Sequence, residues 1–143
     1  MRQTHHHEAA HAVFALWSGL RVTDLRIGRE ELNGVMIEGV CAFVHGGVSD
    51  LALAEIYLAG PAVESMMDHN WNYNEINEDY LQAGLLLENV VEDITAVVAK
   101  VKQRVNSLFP EIDRLAKVLL EHKRLDEHEI MQIARMPAWR LSK

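Results

Sequence analysis

The segment His7-Glu8-Ala9-Ala10-His11 constrains this chain more than any other part of its sequence. On an α-helix, residues four positions apart lie on one face, about one turn or roughly 6 Å from each other. His7 and His11 therefore point two imidazole rings at one place, which suits two neighbouring ligands of a zinc ion. Glu8 follows the first histidine, where its carboxylate can reach a water on the ion without binding the ion. The spacing predicts a zinc hydrolase site with Glu8 as general base.

The residues around this motif favour a buried site on a helix. Thr4 can cap a helix that continues through small and apolar residues to Trp17, and Gly19 can end it. Burying two histidines and a carboxylate without a partner costs several kcal/mol, and a metal ion removes that cost. His5 and His6 precede the motif without sharing its spacing, so we expect both to be exposed in the first helical turn.

Composition limits the classes of protein to which the chain can belong. A length of 143 residues predicts a single domain over residues 1–143. Cys41 is the only cysteine, which excludes a disulfide framework and predicts a small, buried strand residue, so any metal must use His, Asp or Glu. The net charge of −7 argues against nucleic acid as the main partner. With no apolar run of membrane-spanning length and no signal-peptide pattern, we expect a soluble cytoplasmic protein with no membrane contact.

The first half of the chain predicts a small antiparallel sheet after the motif helix. Residues 20–27 alternate as a strand does, residues 28–34 form a polar connection, and residues 35–44 form a second strand. Gly39 predicts either a bulge in this second strand or a division into two short ones. An exposed edge here can pair with an extended peptide, although a plain structural hairpin fits the sequence equally well.

The rest of the chain is predicted to be helical. Ser49 or Asp50 can cap a helix from Leu51, in which Gly60-Pro61 predicts a kink or a break with restart. Residues 68–77 form a loop whose Trp71 and Tyr73 either line a pocket or pin the loop. Three further helical stretches follow: residues 79–105 with a break near Glu92, residues 112–121 opened by Pro110, and a last helix capped by Asp126. The predicted fold class is α+β and mainly helical, a bundle around the His-Glu-x-x-His helix with a small antiparallel β-sheet near the N-terminal half.

A catalytic zinc ion needs a third protein ligand and an open position for water. Asp79 and Glu78 fit best because helix packing fixes side chains that follow a loop, although either can simply favour the helix dipole. His45 is an alternative ligand, but its glycine-rich turn favours a surface histidine. The candidates for the third ligand after the motif are Glu64, Asp68, His69, Glu75, Glu78 and Asp79.

Four blocks of the sequence, taken together, resemble the peptidase domain of the FtsH-type ATP-dependent zinc metalloproteases. The resemblance extends over nearly the whole chain in the right order, and it implies a mostly helical fold with a small sheet. In that family the aspartate of the third block completes the zinc site, which implies His7, His11 and Asp79 as the metal ligands. The matching blocks are residues 7–12 (His-Glu-Ala-Ala-His-Ala), 58–64 (Leu-Ala-Gly-Pro-Ala-Val-Glu), 77–83 (Asn-Glu-Asp-Tyr-Leu-Gln-Ala) and the tail from 116 to 126.

The chain also departs from that family. The family motif has Gly where Ala10 stands, and its second block reads Gly-Gly-Arg in place of Ala59-Gly60-Pro61. The sequence contains no phosphate-binding loop, so we expect the ATPase module and membrane anchor to be absent.

These features predict a soluble, ATP-independent zinc metallopeptidase with Zn²⁺ as its cofactor. We expect it to act on peptides or unfolded protein chains, with a separate unfoldase and a homo-oligomer as possible partners. One alternative is a non-catalytic or regulatory zinc-binding, peptide-binding module of the same fold. Another is an acidic helical domain in which the motif arises by coincidence.

Overall fold

A computed structural model describes residues 4–32, 34–44, 46–67, 78–88, 90 and 93–134. Within them lie five helices and a three-stranded sheet, which confirms the predicted α+β, mainly helical class. The elements in chain order are α1 (Thr4–Trp17), β1 (Arg21–Leu32), β2 (Val35–Val44), α2 (Asp50–Met67), α3 (Glu78–Leu87), α4 (Ile94–His122), β3 (Arg124–Asp126) and α5 (Glu127–Ala134).

Helix α1 is the central element, and its ends follow from local sequence. Gly19 adopts φ of 85°, and the Leu20 N–H donates to the Ala15 carbonyl at 2.9 Å, so the helix ends in a Schellman motif as the glycine predicts. From His6 to Leu16 every residue of α1 is buried. Contacts with α2, α4, β1 and β2 surround the helix, which places the motif inside the protein.

The sheet corrects two predictions. Strand β1 extends to Leu32, so the polar connection predicted over residues 28–34 is wrong, because backbone pairing with β2 continues to Leu32 opposite Val35. Gly34, directly before β2, adopts φ of 80°, a conformation typical of short hairpin turns. Strand β2 is unbroken, and the irregularities in pairing insert extra residues into β1 rather than at Gly39. Cys41 lies partly buried in β2 and packs against the core.

A third strand was not predicted. Strand β3 pairs antiparallel with β1 and places Leu125, which is fully buried, opposite Leu25. The described sheet therefore has the order β2-β1-β3, with β2 at one edge. Asp126 caps α5 as predicted: its carboxylate accepts from the Glu129 N–H, and the Glu129 carboxylate accepts from the Asp126 N–H.

Pro61 and Pro110 lie within continuous helices, which corrects the predicted helix start after Pro110 and the break that was one of two alternatives at Gly60-Pro61; the other alternative, a kink, stays a prediction. In α4 one apolar face continues unchanged across Pro110, and its burial outweighs the cost of about 3 kcal/mol for an internal proline. The predicted break near Glu92 is confirmed, since α3 ends at Leu87 and α4 begins at Ile94. The buried face of α4 consists of Val97, Val101, Val105, Leu108, Ile112, Leu115, Ala116 and Leu119.

The single domain over residues 1–143 stays a prediction. Among the described residues, no helix combines the length and apolar character needed to cross a membrane.

The predicted loop with Trp71 and Tyr73 lies outside the described residues.

Candidate metal centre

The two motif histidines meet through the same ring nitrogen. Their Nε2 atoms lie 3.1 Å apart, and both side chains are buried. The Nδ1 atom of His11 lies 2.7 Å from the Ile56 carbonyl oxygen, which can only accept, so this nitrogen donates. The Nδ1 atom of His7 contacts a carboxylate oxygen of Glu64. Both outer nitrogens are thus engaged by α2, which leaves the two Nε2 lone pairs facing the same space.

Asp79 joins these two nitrogens from the first turn of α3. Its Oδ2 atom lies 2.7 Å from Nε2 of His7 and 3.0 Å from Nε2 of His11. Glu78, the neighbouring candidate, is exposed and accepts a hydrogen bond from Gln82 instead. The structure therefore brings Asp79, and not Glu78, to the histidines.

These donors fit a metal ion in number, type and spacing. Tetrahedral ligands about 2.0–2.1 Å from zinc lie about 3.3 Å from each other, so the three separations need to widen by only about 0.2–0.6 Å. Two imidazole nitrogens and one carboxylate oxygen are a donor set that transition metals accept. The buried group of His7, Glu8 and His11, whose ligand atoms all lie within 4.8 Å of one another, can hold a metal ion.

Gly60 keeps open the space that an ion needs. A Cβ atom at this position would lie 2.6 Å from Nε2 of His11 and 2.7 Å from Nε2 of His7. Any larger residue would therefore fill the space in front of both lone pairs. Helix α2 approaches α1 this closely only because residue 60 has no side chain.

Glu8 lies on the side of α1 that faces the sheet. Its side chain is buried against Gly39 of β2, where a Cβ atom would lie 2.8 Å from both Cγ and Oε2 of Glu8. The same atom would lie 2.9 Å from Cγ2 of Thr4. Gly39 therefore allows β2 to approach α1 closely, and it does not form the predicted bulge.

His7, His11 and Asp79 shift the pKa values of one another. Burial alone would lower the pKa of His7, but hydrogen bonds with the Asp79 and Glu64 carboxylates raise it to about 9. Burial also opposes the protonated form of His11, yet the charge of Asp79 raises the pKa of this ring. Burial would raise the pKa of Asp79, whereas His11 and His7 hold it well below its usual range. Protons thus occupy the place that a cation would take, and a metal ion must displace them.

The other candidate residues have different positions. Glu64 is buried and contacts the outer nitrogen of His7, so it orients a ligand rather than joining the three donors. The remaining candidates, His45, Asp68, His69 and Glu75, lie outside the described residues.

The prediction that His6 is exposed is wrong. His6 is buried, its Nε2 atom lies 2.9 Å from Oδ1 of Asp113, and its ring stacks on Phe109 of α4. Its partners come from α4, more than 100 positions away in sequence, so local spacing could not reveal them. His5 is only partly buried, and its ring contacts that of His6 at a tilt of 55°.

Sequence reasoning did not identify three parts of this site: the closeness of Gly60 to the histidines, the contact of Gly39 with Glu8, and the Ile56 carbonyl. Glycines inside a helix and a strand were the available signal, since such glycines often mark a close backbone approach. A backbone carbonyl carries no sequence signal.

Comparison with protein-family models and with curated proteins finds no match for this chain.

Proposed function

We propose that this protein is a zinc metallopeptidase that hydrolyses peptide bonds in peptides or unfolded chains without ATP. The observation that carries this proposal is the meeting of His7, His11 and Asp79 at one point beside a buried Glu8. The sequence resemblance to the FtsH-type peptidase domain, which includes the same motif and Asp79, agrees with this proposal.

Zinc is the metal that this site favours. Two histidines and one carboxylate are also the ligands of non-haem iron oxygenases, so the ligand set alone leaves the metal open. Glu8 favours zinc and hydrolysis, because hydrolysis needs a general base within reach of a water next to the ligands. His7, His11 and Asp79 would hold the ion.

The chain's own residues supply the proton transfers. When bound, the ion polarises the scissile carbonyl and lowers the pKa of the attacking water to about 7. The Glu8 carboxylate takes a proton from that water and delivers it to the nitrogen of the departing amine. The Glu64 carboxylate and the Ile56 carbonyl hold the two imidazoles in the orientation that keeps Nε2 available. Burial of the site excludes bulk water from these steps.

Strand β2 is the proposed support for the substrate backbone. Within the described sheet it is an edge strand, and its Gly39 lies against Glu8. An extended peptide that pairs with β2 would run past the general base and be held by main-chain hydrogen bonds, independently of its side chains. This arrangement supports activity on unfolded chains. A separate unfoldase and a homo-oligomer remain proposals without a structural observation of their own.

Replacing Glu8 by Gln tests the mechanism. We expect the variant to retain about one equivalent of zinc and to lose at least about a hundredfold in the rate of cleavage of an unfolded protein such as casein. Glu121→Gln, an exposed change on α4, is the matched control and should cleave at the wild-type rate. Cleavage by Glu8→Gln at the wild-type rate would contradict the proposed function of Glu8.

The second candidate function is a regulatory module that binds zinc and peptides without cleaving them. The edge position of β2 in the described sheet favours it as much as it favours an enzyme, because strand pairing needs no catalysis. Tight binding of unfolded peptides by zinc-loaded wild-type protein, with no cleavage over hours, would establish this alternative.

A further inference from the structure

His6 has a buried ring nitrogen, Nδ1, with no hydrogen-bond partner among the residues that the structure describes. The residue is only 6% exposed, and its other ring nitrogen, Nε2, lies 2.9 Å from Oδ1 of Asp113. An ionised carboxylate only accepts, so Nε2 of the neutral ring donates and Nδ1 bears a lone pair. Because nearly all buried polar atoms are paired, this open lone pair indicates a ligand.

The contact between His6 and Asp113 is typical of a histidine that binds a metal. Such a histidine usually donates its other ring N–H to a carboxylate or a carbonyl, which fixes the tautomer and strengthens the ligand. In the metal centre, His11 is held in this way by the Ile56 carbonyl. His6 has the same arrangement with the two nitrogens exchanged, because Nε2 is engaged and Nδ1 is open.

His5 provides a second imidazole at a suitable distance. Its ring centre lies 4.6 Å from that of His6, and the ring centres of His7 and His11 lie 4.7 Å apart. Two imidazoles that bind one zinc ion have ring centres about 4.5–5.2 Å apart when the angle between the two bonds is about 90–110°. His5 is only partly buried, so its ring can turn a nitrogen toward Nδ1 of His6.

This pair of histidines lies on a different side of α1 from the metal centre. The His6 ring stacks on Phe109 of α4, and Asp113 belongs to the same helix. His7 instead faces Asp79 of α3. Consecutive residues of an α-helix point about 100° apart, which keeps the two groups of side chains separate.

We propose that His5 and His6 form a second site for a divalent transition-metal ion such as Zn²⁺, with Asp113 orienting His6 and water completing the coordination. Imidazole nitrogen suits zinc, nickel and copper. The second ion should bind more weakly than the ion of the metal centre, because it has two protein ligands instead of three. The positive end of the α1 dipole and Lys117, whose Nζ lies 2.8 Å from Oδ2 of Asp113, also oppose a cation. Dialysis should therefore remove it.

An anion fits these residues less well than a metal ion. It would need an N–H at Nδ1, whereas the neutral His6 ring already uses its one N–H for Asp113. The Asp113 carboxylate would also repel it. The open lone pair thus favours a metal, and the inference does not depend on the proposed peptidase activity.

The test counts zinc equivalents at two affinities. The probe is Zn²⁺ itself, titrated by calorimetry into tag-free protein that already holds one equivalent. We expect wild type to bind a second equivalent, and His5→Ala to weaken that binding at least about tenfold. Asp113→Ala should weaken it by about tenfold to a hundredfold, because it removes the partner of a ligating histidine. His128→Ala, an exposed change on α5, is the matched control and should leave it unchanged.

NMR of the histidine rings identifies the nitrogens that bind. The second equivalent should shift the ¹⁵N signals of Nδ1 of His6 and of one nitrogen of His5, and leave those of His7 and His11 unchanged. A His6 that only joins α1 to α4 would show no such shift. Asp79→Asn should lose the tight equivalent and keep the weak one, which separates failure of the metal centre from failure of this site. Retention of the tight equivalent and an unchanged circular dichroism spectrum show that the other variants are folded.

Four results would overturn the inference. One is a wild-type protein that binds no second equivalent at zinc concentrations up to about 1 mM. Another is a second affinity that His5→Ala leaves unchanged, and a third is an equal loss in His128→Ala. The fourth is the loss of both equivalents in Asp79→Asn, which would place both ions in one centre.

Discussion

Helix α2 and strand β2 both approach α1 so closely that only glycine fits, but they contact different atoms. A Cβ atom on Gly60 of α2 would lie 2.6–2.7 Å from the Nε2 atoms of the two histidines. A Cβ atom on Gly39 of β2 would lie 2.8 Å from the side chain of Glu8. The α2 contact thus keeps space for a metal beside the two histidines, and the β2 contact holds the carboxylate that we propose as the general base. The difference implies that metal binding and proton transfer can be disrupted separately.

Of the variants that test this comparison, Gly60→Ala should have the largest effect, which is the loss of bound zinc. The added methyl group occupies the space in front of both lone pairs, so we expect less than about a tenth of an equivalent of zinc after dialysis. Metal analysis and circular dichroism of the same sample would show metal loss in a folded protein. Gly84→Ala is the matched control in a helix, since a Cβ atom there has no neighbour within 4 Å, and it should retain zinc. Wild-type zinc affinity in Gly60→Ala would contradict this assignment.

Gly39→Ala should have the opposite result: the variant should keep its zinc but lose cleavage activity. The methyl group displaces the Glu8 carboxylate, and its nearest atoms belong to Glu8 and Thr4 rather than to His7, His11 or Asp79, so zinc content should stay near one equivalent. A displacement of about 1 Å in a catalytic group lowers the rate by about a hundredfold, and we expect a loss of 10- to 100-fold in kcat on casein. If Gly39→Ala loses its zinc, or cleaves within twofold of wild type, the two contacts do not have separate functions.

The pH dependence of the Tm should also distinguish the two contacts, and its effect should be smaller than those on zinc content and cleavage rate. The pKa of His7 is raised from 6.5 to about 9 in the folded, metal-free protein. A raised folded pKa stabilises the protein fully below pH 6.5, and this stabilisation is lost as the pH rises through 9. We expect the Tm of metal-free protein to fall by about 5 °C between these pH values, and the gain in Tm on adding zinc to grow over the same range.

Differential scanning fluorimetry measures both trends. Glu64→Gln removes a carboxylate that raises the pKa of His7, so the fall in Tm should occur at lower pH in that variant. Gly39→Ala should move the fall in Tm less, because its methyl group meets Glu8, whose charge raises the pKa of His7 less than the hydrogen bonds with Asp79 and Glu64 do. A metal-free Tm that is constant or rises from pH 6.5 to 9 would contradict the linkage.

The sequence predicts local features of this molecule best. The spacing of His7 and His11, the end of α1 at Gly19 and the cap at Asp126 all depend on residues within a few positions of one another. The fold class followed because apolar periodicity is also local. Asp79 lies 68 residues after His11, and its selection as a ligand depended on the family resemblance rather than on spacing.

The errors arose where packing outweighs local rules. Pro110 normally ends a helix, but the apolar face of α4 continues past it and remains buried. The sequence predicts that His6 is exposed in the first helical turn, yet its ring contacts Asp113, which lies 107 residues away, and is buried. The close approaches at Gly39 and Gly60 depend on how whole elements pack, which periodicity does not specify.

The most direct test of the central claim is the zinc content of three proteins prepared identically at neutral pH without chelator. The account predicts about one equivalent in wild type, about one in Glu78→Gln, and little or none in Asp79→Asn, because only Asp79 faces the two histidines. Less than about half an equivalent in wild type, or equal zinc content and affinity in Asp79→Asn and wild type, would contradict it.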